Sequence, residues 1–303
     1  MPSSILRAVV ALGFGIALAL GVGELALRMI GFGRPVLYDN RLAWGYRPRP
    51  DQTLIRFRGA AVHVNALGVR CPDVAAKRAP DTTRLLFLGD SVTWGGTYVS
   101  DAELFAAVAA DRLARGGRRV EWLDAGVNGW GPENILGLVR ETHGFDSSAW
   151  IVTALEDDFR REKTHAGEVP YFDAPPWSAW HEILVRGAYE VLVATKRPKP
   201  PDDLARLADA NLERYRDVAR EGRTAGARVL LVWHPTVDAL AGGVEPNRAR
   251  YLALAEPDDA SLDLGPAYRA AGGRVYSDGM HLDVAGHRAA GEAIGEALAR
   301  VLP

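Results

Sequence analysis

FLGDSVTWGG, residues 87–96, decides how the rest of the chain is read. An apolar run, Leu85 to Leu88, leads directly into Gly89-Asp90-Ser91. A run so short, closed by turn residues, reads as a strand buried on both faces. Asp and Ser are favoured helix caps, so the pattern also predicts a helix starting here. Ser91 is therefore either a nucleophile at a strand's carboxyl end or only the cap of that helix. Thr93 stands where the nucleophile elbow G-x-S-x-G needs glycine. GDSVTWGG also lacks the lysine of a phosphate-binding P-loop.

Outward from this junction, strand patterns alternate with helical ones. RLLFLGD is followed by the helical AELFAAVAADRLARGG, then RVEWLDAG, then the helical PENILGLVRETHG, then WIVTAL. A less regular stretch from Asp157 to Asp203 contains one predicted helix, WHEILVRGAYEVLVATK, and is broken by PKPPDD. A long helix over about Leu204–Arg223 feeds RVLLVWH, and a last helix covers about Val284–Val301. Near-continuous apolar strands alternating with helices imply a parallel sheet covered on both faces. Such sheets bind ligands at the carboxyl ends of their strands, where Ser91 falls.

Composition excludes several classes. The chain has 303 residues, 48% apolar and 24% charged, an ordinary globular balance. A net charge of −2 and the lack of a basic stripe give no footprint for nucleic acid. The single cysteine, Cys71, excludes an internal disulfide framework and a cysteine-based metal site. His143, His165 and His181 show no metal-ligand spacing, so neither a metal nor a cofactor is expected. Ala8 to Gly23 carries no charge, and residues 1–33 read as a transmembrane anchor that exports the body. Small residues at Gly21 and Gly23 keep a cleaved signal, with secretion, as the alternative. Residues 34–83 read as a collar containing a hairpin, with strands at about 53–58 and 61–65 around Gly59. Trp44 and Tyr46 are expected to pack this collar onto the main domain, residues 84–303.

The far end of the chain bears on Ser91. Residues 276–291 read YSDGMHLDVAGHRAAG. Asp278 and His281, three apart, face the same way in a turn or helix. A carboxylate beside an imidazole fixes its tautomer, and an imidazole so held can take a serine proton. Asp283 is the better cap for the final helix, which leaves Asp278 and His281 without a structural task. The alternative is a loop histidine packed under the helix.

Together, Gly89-Asp90-Ser91 and the late Asp278-x-x-His281 resemble the SGNH, or GDSL, hydrolases over about residues 84–300. The apolar anchor with ELALR, the hairpin and the GDS strand are similar to membrane-anchored bacterial members of the cell envelope. The resemblance implies a three-layer α/β/α sandwich with a flavodoxin-like parallel sheet. It implies a serine esterase acting on a carboxylic ester or O-acylated glycan, with acyl transfer to a sugar hydroxyl as a variant. It places the chain in the bacterial inner membrane as a single-pass protein, its domain facing the periplasm or cell exterior. Ser91 matches the nucleophile, and Asp278 and His281 the acid and base. The oxyanion hole would use the backbone N–H of Ser91 and that of Gly129 in DAGVNGWGPEN, with Gly126 as the competing glycine. The family's third donor is an asparagine, and Asp157 in LEDD occupies its place, followed by Asp158. An ionised Asp157 cannot donate and would repel the oxyanion. Three outcomes stay open: a protonated Asp157, an amide supplied by Asn128, or a slow or inert site that binds or scaffolds envelope polysaccharide machinery. Trp94 and Trp130 either line the substrate site or pack beneath it. His234 is a candidate cleft residue, His287 a packing or surface residue, and DDFRREK a solvated face.

Overall fold

The computed structural model describes residues 3–165, 171–194, 200–272 and 274–302. In chain order the elements are α1 (Ser3–Met29), β1 (Tyr38–Leu42), β2 (Gly45–Pro48), β3 (Gln52–Ile55), β4 (Ala61–Val64), β5 (Thr82–Leu88), α2 (Ser91–Trp94), α3 (Phe105–Ala114), β6 (Arg119–Asp124), α4 (Pro132–Thr142) and β7 (Ala149–Ala154). There follow α5 (Ala179–Ala194), α6 (Pro201–Thr224), β8 (Arg228–Trp233), α7 (Val237–Leu240), α8 (Arg248–Leu252), β9 (Ala260–Asp263), α9 (Gly265–Ala270) and α10 (Val284–Val301). Of the predicted α5 segment, Thr195 and Lys196 lie outside the described residues, as do Pro198 and Lys199 of PKPPDD.

β5 to β9 form one five-stranded parallel sheet in the order β6-β5-β7-β8-β9. Numbered within the sheet, that order is 2-1-3-4-5, the flavodoxin-like winding. Alternate residues of each inner strand feed opposite layers, which is why the runs read as continuously apolar. Leu85, Phe87, Ile151, Leu230 and Val232 meet α3, α9 and α10. Leu86, Leu88, Trp150, Val152, Leu231 and Trp233 meet the layer of α4, α6 and α8. The polar run Ala260–Asp263 carries one large apolar residue, Leu262, so the edge strand β9 escapes periodicity reading.

The collar holds two antiparallel hairpins, β1–β2 and the expected β3–β4. It continues into the main sheet through Arg70, whose backbone exchanges hydrogen bonds with Asp124 at the end of β6. Trp44 and Tyr46 pack it down as expected: the Trp44 indole donates to Glu141 at 2.5 Å, and the Tyr46 hydroxyl donates to the Asn128 carbonyl.

α1 is long and apolar enough to cross a membrane, and its apolar window is not covered by the rest of the chain. Its last turns nevertheless dock on the body. Glu24 accepts from the backbone N–H groups of Ala179 and Trp180, which start α5. The Trp180 indole donates to the Leu20 carbonyl at 3.1 Å. A Cβ on Gly23 would lie 2.4 Å from that indole, so glycine here allows the ring to close on the helix.

Candidate active site

The strand-to-helix junction places Ser91. β5 ends buried at Leu88, the chain turns at Gly89, and Asp90 caps α2 by accepting from the Val92 N–H at 2.9 Å. The cap is thus Asp90, and the Ser91 hydroxyl is left for another partner. It lies 2.8 Å from Nε2 of His281.

His281 is held from its far side. Nδ1 donates to Oδ2 of Asp278 at 2.8 Å, so Nε2 carries the lone pair that faces the serine. The other Asp278 oxygen accepts from the backbone N–H groups of Met280 and His281, at 2.8 and 2.7 Å. Burial works to raise the Asp278 carboxyl, but these donors and the imidazole outweigh it and hold it below the usual carboxylate value. Asp283 caps α10 by accepting from the Gly286 N–H at 2.8 Å, as expected.

His234 lies beneath this loop, fully buried, and lines no part of the cleft. Its Nε2 donates to the Met280 carbonyl at 2.8 Å and its Nδ1 accepts from the Tyr268 hydroxyl at 2.8 Å. Burial pulls its pKa down to about 4, so it is a neutral strut under the loop. His287 packs in the core, accepting from the Phe105 N–H at 3.1 Å.

The cleft beside Ser91 has a volume of about 470 Å³. Asn128 and Gly129 both line it. Gly129 adopts φ +77°, a left-handed turn suited to glycine. Among the described residues, neither its N–H nor that of Ser91 donates to another group. Gly126 differs: its N–H donates to Asp124 at 2.9 Å, and a Cβ there would lie 2.5 Å from the Trp94 nitrogen. It is a packing glycine.

Asp157 does not line the cleft; its side chain is 44% exposed. One oxygen accepts from Nε and Nη2 of Arg161, at 3.0 and 2.6 Å. Glu156 faces away from it, accepting from the N–H and side-chain amide of Asn247. Trp94 and Trp130 are buried beneath the two loops, not in the cleft. The Arg70 guanidinium lies 5.1 Å from the Trp94 ring, and the Trp130 indole donates to the Tyr46 carbonyl at 3.0 Å. Both are too well packed to offer a face to substrate.

DDFRREK is a solvated face only in part, with Arg160 and Glu162 exposed. Asp158 and Phe159 are buried, and Arg161 reaches into the cleft wall. Its Nη1 donates to Asp90 at 2.6 Å and to Asp158 at 3.1 Å. Burial opposes the Arg161 charge, but the carboxylates of Asp90, Asp158 and Asp157 outweigh it and push its pKa up. Burial, then the charge of Asp90, pushes the Asp158 carboxyl up. Arg161 and the cleft tyrosines Tyr38, Tyr98, Tyr171 and Tyr189 escaped the sequence reading. The available signal was position: the charge run begins at the carboxyl end of β7, on the functional edge of the sheet. Among the described residues, no group of three or more His, Cys, Asp or Glu is placed to hold a metal.

No protein-family model and no curated protein sequence matches the chain. Its structural neighbours include GDSL lipolytic esterases. The crystal structure of TesA shares 18% identity at a TM-score of 0.46, covering 73% of this chain and 100% of that one. A lipolytic protein of the G-D-S-L family from Veillonella parvula DSM 2008 shares 12% at 0.44, covering 72% and 99%. A two-domain esterase (CEX) active on acetylated mannans shares 14% at 0.47, covering 73% of this chain and 50% of its own.

Proposed function

We propose that the chain is a membrane-anchored serine ester hydrolase. The observation that carries this reading is the continuous relay from the Ser91 hydroxyl through His281 to Asp278, 2.8 Å at each step, open to the cleft. Ser91 Oγ attacks the ester carbonyl while His281 Nε2 takes its proton. Asp278 keeps the imidazole in that tautomer and stabilises the imidazolium. The N–H groups of Ser91 and Gly129 receive the oxyanion, and Asn128, beside Gly129 in the cleft lining, carries the neutral amide assigned as the third donor. His281 returns its proton to the leaving alcohol. Water, deprotonated by the same imidazole, then releases the acid.

The tyrosine-lined cleft suits the O-acylated glycan class, since ring faces and hydroxyls both contact sugars. α1 acts as a retained single-pass anchor, with the body on the periplasmic side of a bacterial inner membrane. Its final turns support retention, because Leu20, Gly23 and Glu24 are docking partners of α5.

The test is hydrolysis of p-nitrophenyl acetate by the full chain in detergent micelles, beside Ser91→Ala. Turnover present in the parent and lost in the variant is expected. Equal, near-background rates in both would sink the reading.

A further inference from the structure

The cleft is built onto the membrane anchor. Between β7 and α6 the chain inserts α5, which leaves the sheet to dock on α1 through Trp180 and the Glu24 cap. Just beyond α1, the Gly33 N–H donates to Glu182 at 2.6 Å, and Arg56 donates to the Gly31 carbonyl. Arg56 and Glu182 form a fully buried ion pair at 2.5 Å. Pro35, Val36, Arg56, Arg186 and Tyr189 then line the cleft. Val36 is seven residues past Met29, so chain reach alone keeps it within about 25 Å of the end of α1.

α5 has two unlike faces. Arg186 and Tyr189 face the cleft, and Glu182 on the same side is buried. Leu184, Ala188 and Val191, at i, i+4 and i+7, lie opposite and are exposed, with Leu192 beside them. Leu184 is 65% exposed and Val191 67%. On the helix, Trp180 falls on this apolar side, and it is Trp180 that touches α1. The stripe of α5 therefore lies on the side of the helix that carries its contact with α1, and it runs on from that contact as exposed apolar surface. Trp177, 75% exposed, precedes the stripe, and indoles at the ends of spans favour the headgroup level.

We infer that α5 lies in the outer surface of the bilayer that α1 spans, its Leu184–Ala188–Val191 face immersed, so that the cleft opens at the membrane and takes its ester, an O-acylated glycan, while that glycan is carried on a membrane lipid. The continuity of the stripe with the span identifies the occupant as lipid. The inference about substrate rests on the esterase reading; the seating of α5 rests on the retained anchor alone.

The experiment uses the full chain in vesicles of phosphatidylethanolamine and phosphatidylglycerol. Single nitroxide labels are placed at Leu184→Cys, Ala188→Cys, Val191→Cys and, on other surfaces, Glu190→Cys and Asp202→Cys. Cys71 is buried and its thiol is pushed up by burial, so it stays unlabelled. Labels on the stripe should collide more with oxygen than with a water-soluble nickel chelate, and labels at 190 and 202 should show the reverse. Stripe labels open to the nickel chelate, or shielded from both by a second copy or a protein partner, would overturn the seating. In the same vesicles, Leu184→Asp with Val191→Asp should lower turnover of p-nitrophenyl hexadecanoate about tenfold or more, because aspartate resists insertion. Turnover of dissolved p-nitrophenyl acetate should be unchanged. An equal effect on both esters, or on neither, would overturn the membrane-borne substrate. Immersed labels with no turnover of either ester by the parent protein would instead overturn the esterase reading, leaving the seating of α5 in place.

Discussion

The two oxygens of Asp90 are divided between two tasks. Oδ1 caps α2 and so fixes the backbone of Ser91, while Oδ2 takes the Arg161 guanidinium at 2.6 Å. Arg161 in turn bridges to Asp158 and Asp157, so one cation serves three carboxylates. Asp90 and Asp158 are almost fully buried. Removing the cation leaves buried carboxylate uncompensated, which typically costs about 3–5 kcal/mol. Arg161→Met should therefore lower the thermal unfolding midpoint clearly and, by freeing Asp90, reduce ester turnover as well. Arg161→Lys keeps the charge but not the fork, and should fall between the two. Asp157→Asn is the contrasting case. Asp157 lies outside the cleft and half in solvent, so its amide should neither rescue nor abolish turnover. A large gain in Asp157→Asn, read as kcat/KM for p-nitrophenyl acetate, would put that side chain back at the oxyanion.

At the scale of elements, α3 and α10 are joined by a histidine that serves as a cap. No side chain caps α3 from its own segment, and the Phe105 N–H at its start donates instead to His287 on the first turn of α10. Protonation of Nδ1 would destroy that acceptor. Burial first, and then the charge of Arg70, hold the His287 pKa down to about 3. The folded value lies below the unfolded value of about 6.5, so the unfolded chain binds the extra proton and stability falls as pH drops below that value. At pH 5 the share of His287 is about 2 kcal/mol. His234, with its pKa at about 4, acts in the same sense, while Asp158 and Asp124, both pushed up by burial, act in the opposite one. His287→Gln keeps an acceptor and cannot titrate. The fall in unfolding midpoint from pH 7.5 to pH 5 should be smaller in this variant than in the parent, and an equal fall would exclude His287 as the acid-sensitive link. Little of this was legible beforehand. A buried capping histidine and a surface one have the same local sequence, because the partner sits 182 positions away. The inner strands β5, β7 and β8 were readable because both faces are buried. β9 was not, because an edge strand needs apolar residues on few positions. Asp278 and His281 were readable because they are local to one turn. Arg161 was hidden inside a charge run whose burial depends on α6 and the collar.

For the whole molecule, the site sits where the winding of the sheet reverses, between β5 and β7. There the loop after β5 supplies Asp90 and Ser91, the loop after β6 supplies Asn128 and Gly129, and the segment after β7 supplies Arg161. The loop before α10 brings Asp278 and His281 across the same edge. The collar and α5 are additions to this frame, and they meet it at the buried pair of Arg56 and Glu182. Burial lowers the Arg56 pKa, and Glu182 only partly restores it, so the pair is held by geometry more than by gain in energy. Its value lies in what it connects: Glu182 also takes the Gly33 N–H and the Arg186 guanidinium, and Arg56 takes the Gly31 carbonyl. One carboxylate thus ties the exit of α1, the hairpin β3–β4 and α5 into a single wall. Glu182→Gln leaves Arg56 buried without its counter-charge and should loosen that wall by about 3–5 kcal/mol. In amide exchange followed by mass spectrometry, residues 30–36 and 179–186 should lose protection together, while β7 and β8 keep theirs. Loss at 30–36 alone would mean that α1 is hinged independently of α5, and unchanged exchange at both would mean that Trp180 and Glu24 suffice to hold α1 against the cleft.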